Sequence, residues 1–263
     1  MKMLTKEEQK ETVELVKAVK ELIFREMESE KVTVKGAADY VTNVDFAVQE
    51  YFREKLAQAF PEIGFIAEEK ENQDLSSENS YWILDPIDGT TNLIHNYGIS
   101  AVSLGLYENG EMTFGVVYNP FHEELFTAAK GEGAFLNGKP IHVSETEDFR
   151  DAVVSFGSSP YEKGRAKELF PIFYRIFMDC SDFRRTGSAA LDHCYVACGR
   201  QQAYLEQNLK PWDYSAGSLI LTEAGGVVTD WEGEKLPYLK NSDVLACEPQ
   251  FLERMLKYIK ESL

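Results

Sequence analysis

The amino-acid sequence predicts a layered α/β protein, with an α+β N-terminal half and an α/β C-terminal half. Two long segments with apolar residues at helical spacing open the chain, hairpin signals follow from Ser100 onward, and strands alternate with helices after about residue 152. The 263 residues suffice for one large domain or for two smaller units that share an interface. The polar residues 144–151 predict a boundary between two subdomains, 1–147 and 148–263.

The first part of the chain contains two predicted helices and the segment between them. A capping box at Thr5 and Glu8 opens the first helix, whose apolar residues recur at helical spacing to about residue 28. The second helix is expected to begin near Thr42 and to end before Pro61. Between them, the segment KVTVKGAADYVTNVD carries a glycine and two alanines and is predicted to be an irregular, mobile loop.

The rest of the first half predicts a mostly antiparallel sheet. GFIA and WIL are typical of short buried strands, Pro86 is expected to stop the second strand, and the polar residues 70–80 are expected to form a surface loop. Asn109-Gly110 lies between SAVSLGLY and MTFGVVY, and Asn137-Gly138 lies between AFL and PIHV. Asn-Gly between two apolar runs is the strongest short hairpin signal, so each pair predicts a hairpin.

The second half alternates between the two kinds of element. AVVSF, QAYLE, GVVTD and DVLAC have the composition of strands. Helices are predicted at about 162–178, 188–199, 213–224 and 249–261. Alternation of this kind is typical of α/β architecture.

Charge and composition exclude several classes of partner. The 44 acidic residues outnumber the 27 basic ones, giving a formal net charge of -17, which disfavours nucleic acid and anionic membranes as partners. The apolar runs are far shorter than the roughly 20 residues that span a bilayer, and the charged N-terminus lacks the apolar centre of a signal peptide. A cytoplasmic protein is therefore expected. The four cysteines form no CxxC pair, which indicates buried or inert thiols in a reducing compartment.

Acidic residues at the ends of apolar elements are the main candidates for chemistry. Glu68 follows GFIA, Asp85 follows WIL, Asp88 lies in the next turn, and Asp213 opens a helix. Neighbouring carboxylates stay ionised together only when a positive charge compensates them. Because no histidine or cysteine accompanies them, Mg²⁺ or Mn²⁺ suits this set better than zinc. Taken singly, each acid is more often a helix cap or a turn former than a metal ligand, and the motif DPIDGTT after a strand reverses this balance.

The residues after Asp88 indicate phosphate binding. Gly89 permits close approach of the backbone, and Thr90, Thr91 and Asn92 can cap a helix whose first amides face an anion. Such a helix start is common on its own. Next to two aspartates it predicts a site for a metal ion and a phosphate monoester.

These motifs resemble those of a known family. WILDPIDGTTNLIH and PWDYSAGSLILTEAGG resemble the two signatures of the inositol monophosphatase family, and the likeness extends to GFIAEE, ELFTAAKGEGAFLNGKPI and RRTGSAALDHCYVACGR. It covers about residues 31–247 in the expected order. The resemblance implies an αβαβα sandwich of the inositol monophosphatase and fructose-1,6-bisphosphatase type. It also implies a homodimer and two or three Mg²⁺ ions, with Mn²⁺ as a possible substitute.

The resemblance assigns roles residue by residue. The metal ligands would be Glu68, Asp85, Asp88, Asp213 and the carbonyl of Ile87. Catalysis would use Glu68, Thr90 and Asp45, the last two orienting and activating the attacking water. Substrate would contact Ile87, Asp88, Gly89, Thr90, Gly187, Ser188, Ala189, Glu206 and Asp213, with Glu206 binding a sugar hydroxyl. The loop around Lys35 is one residue shorter than in animal members, so the resemblance does not decide whether this loop contributes to a third metal site.

The implied reaction is hydrolysis of a phosphate monoester by direct attack of a metal-activated water. The TTN sequence favours inositol monophosphate or a similar small sugar or polyol phosphate. Relatives that cleave fructose 1,6-bisphosphate, NADP or 3'-phosphoadenosine 5'-phosphate leave those substrates as alternatives. A regulatory protein-binding member is an alternative of another class, since some bacterial relatives act on the transcription machinery by protein contact. The four histidines are expected to be structural, with His95 nearest the site, and Arg184 and Arg185 could be solvated or lie near the substrate or a subunit interface.

Overall fold

The computed structural model of the chain describes residues 3–29, 31–36, 39–68 and 75–263. Its helices are α1 (Lys6–Met27), α2 (Asn43–Ala59), α3 (Thr90–Ile94), α4 (Ala166–Asp179), α5 (Ala189–Ala197), α6 (Pro211–Glu223) and α7 (Leu252–Lys260). Its first strands are β1 (Val32–Gly36), β2 (Asp39–Thr42), β3 (Gly64–Ala67), β4 (Ser80–Asp88), β5 (Ala101–Glu108), β6 (Glu111–Asn119), β7 (Glu124–Ala129), β8 (Ala134–Leu136) and β9 (Lys139–Ile141). The remaining strands are β10 (Val153–Phe156), β11 (Asp182–Arg184), β12 (Ala203–Leu209), β13 (Val227–Thr229) and β14 (Ser242–Cys247).

Helices and sheets alternate in layers. A seven-stranded sheet runs in the order β3 to β9, and a five-stranded sheet has the order β11-β10-β12-β14-β13. One core cluster joins α1 and α2 to the first sheet, a second places α5 and α6 between the sheets, and a third joins α4 and α7 to the second sheet. The predicted layered α/β class is confirmed, and the order of layers is the αβαβα order that the resemblance implies.

Side chains of the first sheet alternate between two apolar faces. On β4, Trp82 and Leu84 pack towards α1 and α2, whereas Tyr81 and Ile83 belong to the cluster shared with α5 and α6. Successive side chains of a strand point to opposite faces, so a strand covered on both sides is apolar throughout. This double burial explains why WIL contains no polar residue before Asp85.

The middle helix layer approaches the first sheet closely. Gly105 and Gly115 are register partners on β5 and β6. A Cβ added at Gly115 would lie 3.0 Å from the carbonyl oxygen of Ala216 on α6, and one at Gly105 would lie 3.3 Å from the amide nitrogen of Ala216. The two glycines therefore make room for α6, which places the start of this helix beside the end of β4.

The central core cluster contains residues from both halves of the chain, such as Ile83 and Val117 from the first sheet and Tyr204 and Val244 from the second. The two sheets thus share one layer of helices. A division into subdomains 1–147 and 148–263 stays a prediction.

Two sequence predictions in the first half are wrong. The segment expected to be an irregular loop forms an antiparallel hairpin of β1 and β2, whose residues Ala37 and Ala38 lie outside the described residues. Val32 and Val34 alternate with Thr33 along β1, and this period-2 pattern next to the glycine is the signal of a strand. Pro86 does not stop its strand, because the register shifts by one residue between Asp85 and Asp88 and β4 continues through this bulge. A bulge tolerates proline since it leaves a residue unpaired.

The second half agrees with its predicted elements, with changes at the ends. The helix expected at 162–178 consists of a 3-10 segment at 160–165 followed by α4, and the last helix is likewise preceded by a 3-10 turn. The short strand β11 was not predicted, because DFR has no apolar alternation; in the structure it pairs with β10, and Phe183 packs against Phe156 of that strand. Glu69 and residues 70–74 of the predicted loop lie outside the described residues, whereas residues 75–79 belong to no helix or strand and β4 begins at Ser80.

The state of the cysteine thiols is the next expectation that the structure tests. All four cysteines are free, and Cys194 and Cys247 are buried. Burial raises the pKa of Cys180 to about 11 and that of Cys247 to about 12, so these thiols are poor nucleophiles at neutral pH.

Within the described ranges, no helix has the length and apolar character needed to cross a membrane. The cytoplasmic location itself stays a prediction.

Candidate active site

A cavity of about 440 Å³ lies where the two halves of the chain meet. The end of β4, the start of α3, the loop before α5, the end of β12 and the start of α6 all contribute to its wall. All residues predicted for the site line this cavity except Asp45 and Ser188, which lie behind it. The fold therefore brings together predicted site residues that are far apart in sequence, such as Glu68 and Asp213.

Three carboxylates meet on one side of the cavity. Asp85, Asp88 and Asp213 each offer an oxygen, and these oxygens all lie within 4.8 Å of one another. The bulge in β4 turns both Asp85 and Asp88 towards this point. Asp213 occupies the third position of α6, where its Oδ2 accepts a hydrogen bond of 2.7 Å from the amide of Lys210.

The electrostatics of this cluster favour a bound cation. Burial raises the pKa of Asp85 and of Asp213 well above the usual range of a carboxyl, and repulsion from the neighbouring acids adds to the rise. Burial also raises the pKa of Asp88 to about 6, although hydrogen bonds from Ser188 and Ala190 oppose the shift. Ionised carboxylates at this spacing need compensating charge. An all-oxygen set without histidine or cysteine fits a hard divalent cation such as Mg²⁺.

Asp88 also joins the first sheet to the layer of helices. Its Oδ2 accepts a hydrogen bond from the hydroxyl of Ser188 and another, of 2.8 Å, from the amide of Ala190. Ser188 is the N-cap residue of α5 and its Oγ also accepts from the amide of Leu191. The structure thus places Ser188 behind Asp88 rather than on the wall of the cavity.

Thr90 and Asp45 are in contact beside the carboxylates. The Thr90 hydroxyl lies 3.2 Å from Oδ1 of Asp45 and 3.1 Å from the carbonyl oxygen of Ile87. Asp45 is fully buried, and its Oδ2 accepts hydrogen bonds from the amide and the hydroxyl of Thr42 in the capping box of α2. The helix cap therefore fixes Asp45 in the orientation that reaches Thr90.

Gly89 shapes the turn between β4 and α3. It adopts φ +91°, and an added Cβ would lie 3.0 Å from the carbonyl oxygen of Ile99 and 3.1 Å from that of Gly187. Only glycine suits this left-handed and crowded position. Gly89 is itself the N-cap of α3, so the expectation that Thr90 to Asn92 cap the helix is wrong. Asn92 instead donates to the carbonyl of Thr186 at 2.9 Å, which ties this turn to the loop before α5.

Glu68 lies on the wall of the cavity but is not part of the three-carboxylate group. Its Oε1 is 3.5 Å from the ammonium of Lys35 on β1. Repulsion between Glu68 and Asp85 shows in the raised pKa of Asp85. The Lys35 ammonium therefore offsets part of the negative charge of Glu68.

Comparison with known proteins agrees with this geometry. Residues 5–263 match the inositol monophosphatase family. The chain belongs to this family. The Nus factor SuhB of Vibrio cholerae is 39% identical over 230 residues, which cover 88% of this chain and 86% of that protein.

Two solved structures of the family show the same fold. Staphylococcal inositol monophosphatase-1, in an inhibitory complex soaked with LiCl, superposes with a TM-score of 0.90 at 28% identity and covers 98% of this chain and 96% of its own. An IMPase/NADP phosphatase complexed with Mg²⁺ and phosphate superposes with a TM-score of 0.87 at 29% identity, over 95% of this chain and 93% of its own. The inositol monophosphatase fold and membership of a metal-dependent phosphatase family are therefore established for this chain.

Several wall residues of this family member had no signal in the sequence. Tyr40 comes from β2, Pro160 from the segment after β10, and Leu209 from the end of β12. Tyr40 and Leu209 lie near Asp45 and Asp213 in sequence and Pro160 lies far from the motifs, but none of these residue types signals a site, and only the packing of the layers brings them to the cavity. His95 lines the cavity, as expected, and Arg185 does so as well, whereas Arg184 is exposed and pairs with Asp182. His193 is buried in the core, and desolvation lowers its pKa to about 4.

Asp192 on α5 anchors the loop that leads to Gly187. Its Oδ2 accepts a hydrogen bond of 2.6 Å from the Thr186 hydroxyl, and its Oδ1 accepts one of 3.3 Å from the Gln201 amide. Burial raises the pKa of Asp192 to about 7, even though these hydrogen bonds favour the charged form. The oxygen of the same Gln201 amide is buried without a partner in the described parts of the chain.

Asp192→Asn should therefore stabilise the protein at high pH. The folded pKa lies above the unfolded value of 3.8, so the unfolded chain loses its proton first and stability falls as pH rises from about 4 through 7. The amide introduced by the substitution does not ionise and can donate to Gln201. We expect the free energy of unfolding of the variant, relative to wild type, to increase by on the order of 2 kcal/mol between pH 5 and pH 8. Urea titrations at both pH values measure this, and an equal difference at both would contradict it.

Proposed function

We propose that this protein is a Mg²⁺-dependent phosphomonoesterase that hydrolyses inositol monophosphate or a similar small sugar or polyol phosphate. The observation that carries the proposal is the convergence of Asp85, Asp88 and Asp213 in one cavity that Glu206 also lines. The carboxylates suit metal ions, which in turn would bind the phosphate, and Glu206 can accept a hydrogen bond from a hydroxyl of the alcohol. Family membership supports the phosphatase chemistry.

The metal ligands would be Asp85, Asp88, Asp213, Glu68 and the carbonyl of Ile87. When bound, the divalent cations lower the pKa of a water molecule and neutralise charge on the leaving oxygen. The chain holds the carboxylates in place beforehand through the bulge of β4, the hydrogen bond from the Lys210 amide to Asp213 at the start of α6, and the contacts of Asp88 to α5. Phosphoryl transfer needs mainly positioning and charge from the protein, and this arrangement supplies both. The number of ions, two or three, follows from the resemblance alone.

Thr90 and Asp45 would orient the attacking water. A threonine hydroxyl has a single proton, so it can donate to only one of its two neighbours at a time. When it donates to Asp45, its lone pairs remain free to accept a hydrogen bond from water. Both neighbours can only accept, and a carboxylate is a stronger acceptor than a backbone carbonyl, which favours donation to Asp45. The pair would thus hold the water with a lone pair directed at phosphorus, and Glu68 would act on the same water from the other side.

Binding of the phosphate and its alcohol would use both halves of the chain. The amides of Gly89 and Thr90 lie at the start of α3, where unpaired N–H groups favour an anion. Gly187 and Ala189 line the opposite wall, next to Glu206. Asp88, Ile87 and Asp213 would contact the phosphate side, and Ser188 would act through Asp88.

Other substrates and another kind of function are the alternatives to this proposal. The IMPase/NADP phosphatase relative shows that one member of the family acts on both kinds of ester, so NADP, fructose 1,6-bisphosphate and 3'-phosphoadenosine 5'-phosphate belong in any substrate panel. The relative named Nus factor SuhB favours a regulatory protein-binding role as a second candidate function. The full set of carboxylates supports turnover over a purely binding role. The homodimer, the cytoplasmic location and the lack of a nucleic-acid partner stay predictions.

Removal of divalent metal should abolish turnover and lower stability together. We expect phosphate release from myo-inositol 1-phosphate in the presence of Mg²⁺ and none after treatment with EDTA. Because Mg²⁺ binds the folded state only, saturation at a hundred times the dissociation constant should raise the free energy of unfolding by about 2.7 kcal/mol. Phosphate assays and thermal scans with and without Mg²⁺ measure the two effects. Absence of Mg²⁺-dependent release from the whole panel would instead support the regulatory role.

A further inference from the structure

The Glu206 carboxylate is held from two sides at the end of β12. Its Oε2 accepts a hydrogen bond of 2.6 Å from the Tyr204 hydroxyl, and its Oε1 accepts one of 3.2 Å from the amide of Ser159. A carboxylate can accept about four hydrogen bonds and donates none. Acceptor capacity therefore remains on the side that lines the cavity, and the group it suits is a neutral hydroxyl donor.

Tyr204 is a rigid support for this carboxylate. It precedes Glu206 by two residues on the same strand, so both side chains leave β12 on the same face. Its side chain is fully buried, and its ring packs edge-on against His193 with the ring centroids 5.2 Å apart. Burial raises the pKa of Tyr204 well above that of a free phenol, so the hydroxyl keeps its proton and acts as the donor.

Gly157 provides the space that the carboxylate occupies. The segment after β10 runs alongside β12, with the amide of Gly157 bonded to the carbonyl of Leu205 and the hydroxyl of Ser159 bonded to the carbonyl of Gln207. A Cβ added at Gly157 would lie 1.7 Å from Cδ of Glu206 and about as close to both carboxylate oxygens. Any larger residue at this position would force Glu206 out of its place.

We propose that Tyr204 and Gly157 are positioning residues that fix Glu206 to bind a substrate hydroxyl next to the phosphate ester, and so set the preference for polyol phosphates. This inference rests on the proposed phosphatase function. Neither residue lines the cavity, so both would affect which alcohol is bound and would not take part in the chemical step. A carboxylate allowed to rotate would lose this selection, because the cost of ordering it would then fall on substrate binding.

The test compares two esters that differ only in their ring hydroxyls, myo-inositol 1-phosphate and cyclohexyl phosphate, at fixed Mg²⁺. For Tyr204→Phe we expect KM for inositol 1-phosphate to rise about tenfold, as for a lost hydrogen bond to a charged group, with kcat changed by less than about twofold. Kinetics with cyclohexyl phosphate should change by less than about twofold, because this ester has no hydroxyl for Glu206. Gly157→Ala should act in the same direction and more strongly, since it displaces the whole carboxylate.

Two controls separate positioning from a general structural role. Tyr258→Phe removes another tyrosine hydroxyl that donates to a carboxylate, in this case that of Asp179, away from the cavity. The kinetics with both esters should stay unchanged in this variant. In a Glu206→Gln background, Tyr204→Phe should add less than about a twofold effect if it acts through Glu206. Equal losses with both esters, or unchanged kinetics in Tyr204→Phe and Gly157→Ala, would overturn the inference. No Mg²⁺-dependent hydrolysis of either ester by the wild type would overturn the proposed function itself.

Discussion

Asp88→Asn should fold normally and lose its Mg²⁺-dependent phosphatase activity. The substitution removes one charge from a buried cluster in which Asp85, Asp88 and Asp213 converge within 4.8 Å. Loss of one electrostatic group of this kind lowers kcat by about 10²–10³-fold, and loss of a metal ligand should cost at least as much. The asparagine oxygen can still accept the hydrogen bonds from Ser188 and Ala190, so the link to α5 is kept. Phosphate release at saturating Mg²⁺ measures the effect.

Thermal scans distinguish a lost metal site from a misfolded protein. Without metal, Asp88→Asn should melt at the same temperature as wild type or higher, because burial of Asp88 as an anion is unfavourable and its pKa is raised to about 6. With Mg²⁺, only the wild type should gain stability. Asp148→Asn is the matched control, since Asp148 is a half-buried aspartate outside the cavity that pairs with Arg150. Near-normal turnover in Asp88→Asn would remove Asp88 from the set of metal ligands.

The acidic residues could be found from the sequence because their signal is local. WIL is apolar on both faces, so the strand delivers Asp85 and Asp88 to an edge of the core, and PWD does the same for Asp213 at a helix start. Because Asp85 and Asp88 belong to one short motif, the local backbone determines their relative positions. The layered architecture was predictable for a similar reason, since each helix and strand shows its own period.

The supporting contacts could not be found in this way. The hydrogen bond from Ser188 to Asp88 joins residues 100 positions apart, and the contact of Gly157 with Glu206 depends on how β10 lies beside β12. No local pattern encodes such pairs, because they arise only when the two sheets close on the same layer of helices. The effect of Pro86 likewise depends on a distant partner, because pairing with β5 determines whether the strand ends or forms a bulge there.

Thr90 is the residue on which the proposed orientation of the water depends. Asp45 cannot test the role cleanly, because its Oδ2 also caps α2 through the amide and hydroxyl of Thr42, and a substitution there would weaken the helix. The Thr90 hydroxyl contacts only the Asp45 carboxylate and the Ile87 carbonyl in the described structure. Valine has the same shape as threonine without the hydroxyl, so Thr90→Val removes the oxygen and little else.

Thr90→Val should lower kcat by about 10²-fold or more, the usual contribution of a positioned proton acceptor, with KM and the Mg²⁺-induced stabilisation almost unchanged. Thr90→Ser keeps the hydroxyl and should recover most of the activity. Thr12→Val is the matched control, because Thr12 is a buried helical threonine whose hydroxyl donates to the carbonyl of Glu8 and lies far from the cavity. If Thr90→Val retained kcat, the water would be oriented by the metal ions and Glu68 alone, and the buried Asp45–Thr90 contact would be a link between α2 and α3 that serves the fold. Loss of Mg²⁺-induced stabilisation in Thr90→Val would instead show that Thr90 acts by holding the Ile87 carbonyl in place for the metal.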